Sequence, residues 1–335
     1  MKFKRLLTFA LAATLSFSAL TGCGTTNPDS TSAADTTKTD SSKTNITLGY
    51  LPITHALAVF ETKELLDKTK YTQLAILTQS LAILDSDIEV TLQKFSSWTD
   101  LMDALNSGKI DGASVLVELA MGAVSNGIDL KAAALGHKDG NVVIVSDDIS
   151  DVRDLKGKTF AIPSNQSSHN ILLNDMLALG DLSIDDINVV QLAPSEMPSS
   201  LASGSIDGYC VAEPFGAQAV VQGYGHVLYD STDLWQDSIC CALVFNGGFL
   251  DKNKEAADEF LSTYKEAGSL LDEGIAKEVA EKYLGQDEKT LDVSLEWIHY
   301  DDLDISLDDY EQLSEKVKEY GINDNPPSYN DFIYQ

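Results

Sequence analysis

The sequence predicts an α/β fold of two similar lobes facing each other across a cleft. Three observations predict it. β-type runs alternate with helical stretches along most of the chain, as in sheets flanked by helices. The pattern L-x-S-G-x-I-D-G occurs twice, from Leu105 to Gly112 and from Leu201 to Gly208. Each copy reads as a helix end, a glycine cap and the start of a strand. Finally, 335 residues suffice for one large or two medium domains.

The chain begins with an export signal. Lys2, Lys4 and Arg5 form a positive start, and Leu6 to Leu20 is apolar but short for a membrane span. Leu20-Thr21-Gly22-Cys23 matches a bacterial lipobox, which makes 1–22 a leader and Cys23 the lipidated residue. Residues 23–45, rich in Thr, Ser, Asp and Lys, read as a disordered tether. The protein is then expected on the outer face of a bacterial cytoplasmic membrane, held by a lipid, or in a periplasm where an outer membrane exists. The formal net charge of −29 makes a nucleic-acid partner unfavourable. It also requires local dipoles to hold any anionic ligand. Three cysteines remain beyond Cys23: Cys210, Cys240 and Cys241. An odd count argues against a disulfide framework and favours small buried apolar residues, with a bridge from Cys210 to one of the other two as the alternative.

In chain order, Ile46–Tyr50 is a strand and Ala56–Leu66 a helix, with Thr54 placed to cap it and to make the turn an anion site. Ile88–Phe95 is a strand leading through Ser96–Asp100 into a helix. Asn141–Val145 is strongly β and is taken as the first crossing between lobes. After a strand over Lys158–Pro163 come Ser164, Asn165, Gln166, Ser167, Ser168, His169 and Asn170, then an apolar helix from Ile171 to Leu179. Hydroxyls and amides at a helix start suit an oxyanion, since they donate hydrogen bonds without adding charge. Tyr209–Val211 is a strand with Glu213 at its carboxyl end and Pro214 opening a helix. Glu213 either caps that helix or faces a ligand donor. Cys241–Gly247 is taken as the return crossing. Lobe one is expected over 46–139 and 248–335, lobe two over 140–247. The acidic group Asp301, Asp302, Asp304, Asp308 and Asp309 lacks EF-hand spacing and reads as a solvated face.

Ile206-Asp207-Gly208-Tyr209-Cys210-Val211-Ala212-Glu213-Pro214-Phe215 resembles the signature of solute-binding proteins that serve ABC importers of nitrate, bicarbonate, sulfonates and taurine, with relatives that bind thiamine pyrimidine precursors. The resemblance implies the type II periplasmic-binding-protein fold: two lobes, each a mixed sheet flanked by helices, with the ligand between them and two crossing segments. It implies a ligand-contacting loop at Thr54 and His55, a pocket wall at Trp98 and a pocket histidine at His169. It also exposes a departure. Nitrate-type relatives carry a lysine where Gln236 stands, and losing that cation disfavours a bare anion.

The expected ligand contacts are therefore Thr54, His55, Trp98, Asn165, Gln166, Ser167, Ser168, His169, Glu213 and Gln236. The expected function is capture of a small anionic or zwitterionic solute, sulfonate or taurine-like, for a membrane permease and its ATPase. A pyrimidine precursor, nitrate or bicarbonate is the alternative within the family. No cofactor or metal is assigned, and the chain is expected to be a monomer. Two other classes share some of these features. A pyrimidine synthase of the same fold uses iron and carries cysteines near the return crossing, where Cys240 and Cys241 stand. That would make an enzyme, but the residues show no G-x-S-x-G, H-E-x-x-H, Walker loop or C-x-x-C. A structural surface lipoprotein is disfavoured by the repeated units and the two polar helix-start loops.

Overall fold

The computed structural model describes residues 43–69 and 87–335. The leader, Cys23 and nearly all of the tether lie outside the described residues. Thr44 and Asn45, read as the tether's end, already belong to the first strand.

The chain runs β1 (Thr44–Tyr50), α1 (Leu57–Thr69), β2 (Ile88–Lys94), α2 (Trp98–Asn106), β3 (Gly112–Leu116), α3 (Val117–Ser125) and β4 (Leu130–Leu135). It continues through β5 (Lys138–Asp139), β6 (Asn141–Val145), β7 (Thr159–Ile162), α4 (Ser168–Leu179), β8 (Asn188–Gln191), α5 (Met197–Ala202), β9 (Gly208–Ala212), α6 (Phe215–Gln222), β10 (His226–Asp230) and α7 (Ser231–Leu234). Last come β11 (Cys241–Asn246), α8 (Gly247–Leu270), α9 (Ala276–Leu284), α10 (Glu288–Ser294), β12 (Ile298–His299), α11 (Leu307–Glu319) and α12 (Tyr329–Phe332).

Two five-stranded sheets organise these elements. The first has the order β2-β1-β3-β11-β4, the second β8-β7-β9-β6-β10. In each, three parallel strands are followed by one strand antiparallel to them and a fifth antiparallel to that one. The antiparallel neighbour of the third parallel strand is β11 in one sheet and β6 in the other. Each is the first long strand after the chain has crossed from the opposite sheet. β5 and β12 form a small separate ribbon.

The duplicated pattern does the same structural work in both sheets. Asp111 Oδ2 accepts from the Thr47 amide at 2.8 Å, and Asp207 Oδ2 accepts from the Thr159 amide at 2.8 Å. The two aspartates also return their own amides to the carbonyls of Thr47 and Thr159. The repeat thus pins the third strand to the first. Its closing glycine is required by space. A Cβ on Gly112 would lie 2.7 Å from Phe245 and 2.9 Å from Leu48; on Gly208 it would lie 3.0 Å from Phe160 and Val145. Gly108 and Gly204 end their helices at φ +67 and +71, where a side chain is strained.

Three details differ from the sequence expectations. Cys241–Asn246 is not a crossing but β11, a fully buried strand paired with β3 and β4, so the return crossing ends before it. Its run of apolar residues reflects burial on both faces rather than a passage between lobes. Residues 248–335 also do not keep to the first sheet. α8 packs on α1, but α10 packs on α6 of the second sheet, and Lys316 on α11 pairs with Asp175 on α4 at 2.7 Å. Finally, Asn141–Val145, taken as the first crossing, is β6, a fully buried strand of the second sheet paired with β9 and β10. α8 starts at Gly247, capped by the Asn246 side chain, and kinks at Asn253. Among the described residues no helix is long and apolar enough to cross a membrane.

Candidate functional site

Parallel strands bring their carboxyl ends, and the loops that follow, to one edge of each sheet. The two edges meet. A cleft of about 490 Å³ lies between them. Ser97, Trp98 and Met102 after β2 and Leu119 after β3 line one side; Ser164 after β7 and Gln191 at the end of β8 line the other. Trp98 is buried on this wall and its indole N–H has no partner.

Deeper in, the two halves touch. The Thr54 amide and hydroxyl both donate to the Glu213 carbonyl, at 2.9 and 3.0 Å. The donors expected to meet an anion are therefore held by the opposite lobe's backbone in this arrangement. His55 is fully buried, and its Nε2 lies 2.9 Å from the Gly140 carbonyl. A carbonyl only accepts, so Nε2 carries the proton and Nδ1 presents a lone pair. That lone pair faces Cys240 Sγ at 3.7 Å and Cys241 Sγ at 3.6 Å. His137 stacks on His55, ring centroids 3.5 Å apart, and neither of its nitrogens has a well-formed hydrogen bond. His169, from α4, is buried beside the same group with both nitrogens unpartnered. Glu118, at the start of α3, is buried with both oxygens unpartnered and lies close to Cys240 and Cys241.

The electrostatics follow from burial. Desolvation, then the neighbouring imidazole of His55, lowers His137 to about 4; desolvation also lowers His169 to about 4, so both rings are neutral near pH 7. Burial raises the Glu118 carboxyl well above its usual range, and Cys240 beside it adds to this. Burial also raises both vicinal thiols. For Cys240, the Cys241 thiol and the imidazoles outweigh burial and hold it low; Cys241 stays high, with Cys240 next to it.

The remaining expected contacts separate. Ser167 is buried and its hydroxyl donates to the Ser164 carbonyl at 2.6 Å. Ser168 is buried with its hydroxyl unpartnered. Asn165 and Gln166 are exposed and line a different surface pocket, against Ile184 and Ile322. Gln236 is exposed and lines neither pocket, because the chain turns there, with Asp237 at φ +54. The missing cation at that position therefore says little about the cleft. Glu213 is fully buried and caps its own helix, accepting from the Ala217 amide at 3.1 and 3.2 Å. Burial raises its carboxyl to about 8. Gly216 makes this cap possible, since a Cβ there would come within 2.4 Å of Glu213 Oε1.

Sequence reasoning missed His137 and Glu118. It reads Cys240 and Cys241 as small buried residues, or as the counterpart of an iron enzyme's cysteines, and does not join them to His55. All three cysteines beyond the leader are indeed free and buried, but only Cys210 is simple filling.

The NMT1-like family profile matches residues 39–284. The chain belongs to the NMT1-like family. A crystal structure of the ligand-binding component of an ABC-type import system from Staphylococcus aureus, with zinc bound, is 35% identical, with a TM-score of 0.79 over 87% of this chain and 97% of that one. The periplasmic aliphatic sulphonate binding protein SsuA from Escherichia coli shares the fold, with 21% identity and a TM-score of 0.68 over 87% of this chain and 92% of that one. The nitrate/nitrite binding protein NrtA from Nostoc sp. is 25% identical over 74% of this chain and 58% of its own. The first curated relatives are spanned only in part, over between 25% and 62% of their length. This member of the NMT1-like family thus has the periplasmic-binding-protein fold expected from its Ile206–Phe215 stretch.

Proposed function

We propose that this chain is the solute-binding component of an ABC import system, and that it closes its two lobes over a small solute. The observation that supports this most is a set of buried, unpartnered polar groups at the meeting edges of the two sheets. Trp98 Nε1 and Glu118 come from the first lobe, and Ser168 and His169 from the second. Buried polar groups are normally hydrogen-bonded, so such a set is what a captured ligand would complete. Sequence kinship with the nitrate/nitrite binding protein agrees with this reading.

The solute we favour is a small sulfonate or taurine-like compound. The indole N–H of Trp98, the Ser168 hydroxyl and the His169 ring supply neutral donors, and donors without charge suit an oxyanion head. Selectivity would come from matching every buried donor when the lobes close. Delivery would be to a membrane permease driven by an ATPase, with Cys23 as the lipid anchor that keeps the protein at the membrane. The test is a thermal-shift panel of alkanesulfonates, taurine, nitrate, bicarbonate and pyrimidines. A ligand of the folded form at a hundred times its Kd adds about 2.7 kcal/mol of stability. Sulfonates or taurine should raise Tm. If nitrate alone raises it, the solute class is wrong; if no small solute does, the binding reading fails.

A further inference from the structure

We propose that His55, His137, Cys240 and Cys241 form a four-ligand site for a thiophilic transition-metal ion of the Zn²⁺ class. The four ligand atoms lie within 4.8 Å of one another and all four side chains are buried. Two thiolates and two imidazoles are a donor set that tetrahedral zinc accepts.

The spacing fits the ion. Zinc bonds of about 2.3 Å to sulfur and about 2.0–2.1 Å to nitrogen, at tetrahedral angles, put sulfurs about 3.8 Å apart and sulfur and nitrogen about 3.6 Å apart. The observed separations are 3.8 Å between the two sulfurs, 3.7 Å from Cys240 Sγ to His55 Nδ1 and 3.6 Å from Cys241 Sγ to the same nitrogen. No disulfide or hydrogen-bonded pair would need all three distances at once.

A second observation points to a ligand independently of spacing. His137 is fully buried, yet neither ring nitrogen has a well-formed hydrogen bond. His55 carries the outer support that metal-binding histidines show: its Nε2–H donates to the Gly140 carbonyl, which fixes the tautomer and aims Nδ1 at the sulfurs. Gly136 completes the frame, because a Cβ there would come within 2.8 Å of the His55 carbonyl and 3.2 Å of the Cys241 carbonyl. The backbone approaches closely at the one place where a side chain would part the ligands.

Charge balances too. Two metal–sulfur bonds form, any proton still on a thiol leaves to solvent, and the buried ion with its two thiolates is neutral, which avoids the cost of a lone buried charge. The ion would tie the first helix start of lobe one to both connections between the sheets. His137 lies on the outward connection, and Cys240 and Cys241 at the end of the return.

The test uses the full chain, stripped with a chelator under reducing conditions and then titrated with Co²⁺ and Zn²⁺. One Co²⁺ per chain should bind, with sulfur-to-cobalt charge-transfer absorption and the strong visible bands of tetrahedral cobalt. Cys240→Ser, Cys241→Ser and His137→Ala should each weaken binding by at least about 100-fold, while Cys210→Ser leaves it unchanged. X-ray absorption of the zinc-loaded wild type should show two sulfur and two nitrogen neighbours, a result that needs no variant to fold. Substoichiometric binding, an oxygen-rich octahedral spectrum, or binding that survives loss of both Cys240 and Cys241 would overturn the site. None of these readouts involves an imported solute, so failure here leaves the solute-binding reading standing, and the reverse.

Discussion

The two lobes share a scaffold and differ at its tips. Both sheets follow one strand order, and in both an aspartate of the repeat bridges the third strand to the first with a bond of the same length. Beyond the third strand they part. Lobe one continues into Glu118, whose carboxyl is buried with no partner. Lobe two continues into Glu213, whose carboxyl folds back onto its own helix start. The comparison teaches where to look for function: the repeated positions hold the sheets together, and the cleft is lined by residues at and after the carboxyl ends of β2, β3, β7 and β8.

The largest expected effect sharpens the contrast between those two carboxylates. Glu213 has a folded pKa of about 8, raised chiefly by burial, against an ordinary value of 4.5. An acid with a raised folded pKa stabilises fully below its unfolded pKa, and that contribution is lost as pH rises through the folded value. Between pH 4.5 and 8 the native state keeps a proton that the unfolded chain gives up. Glu213→Gln removes this dependence, so variant and wild type should diverge by roughly 3–6 kcal/mol between pH 4.5 and 9, the variant gaining at alkaline pH. Denaturant unfolding at several pH values checks it. A constant difference across that range would mean that Glu213 is ionised in the fold.

Next come the paired glycines. Gly112→Ala forces a Cβ against Phe245, Leu48 and the Val244 carbonyl, and should cost about 2–3 kcal/mol. Gly208→Ala meets looser neighbours, at 3.0 to 3.1 Å, and should cost about 1 kcal/mol. Chemical denaturation of both variants would break the comparison if the order reversed. The smallest pair is Asp111→Ala and Asp207→Ala. Each removes one half-buried acceptor, worth about 1 kcal/mol. Asp207 also pairs with Lys158 at 3.2 Å, so its loss should exceed that of Asp111 by no more than about 0.5 kcal/mol.

Much of the scaffold was legible in the sequence because its signals are local. The repeated Leu-x-Ser-Gly and Ile-Asp-Gly sit within eight residues, and a glycine cap, a strand start and an aspartate bond to the neighbouring strand are all short-range consequences. Trp98 at the head of α2 was legible for the same reason. Cys241–Asn246 was misread because a strand buried on both faces and a crossing segment carry the same apolar run. The site floor is legible only in parts: the resemblance points to His55, and Cys240 and Cys241 stand where an iron-using enzyme of this fold carries cysteines, but nothing local joins them to His137 or Glu118. His55, His137 and Cys240 meet from positions 82 to 185 residues apart, and no spacing rule connects them. Gln236 is exposed beside a turn where Asp237 takes φ +54, and it lines neither pocket.

The most direct measurement is calorimetric titration of the stabilising solute against wild type, Trp98→Phe on lobe one and His169→Ala on lobe two. Each variant removes one buried, unpartnered polar group, Trp98 from the cleft wall and His169 from beside His55 and His137, and each loss of a hydrogen bond should weaken binding about tenfold. Weakening by both variants, with folding intact by circular dichroism, is the result that capture between the lobes predicts. Unchanged affinity in either one would mean that the solute is held by a single lobe, and would contradict the account.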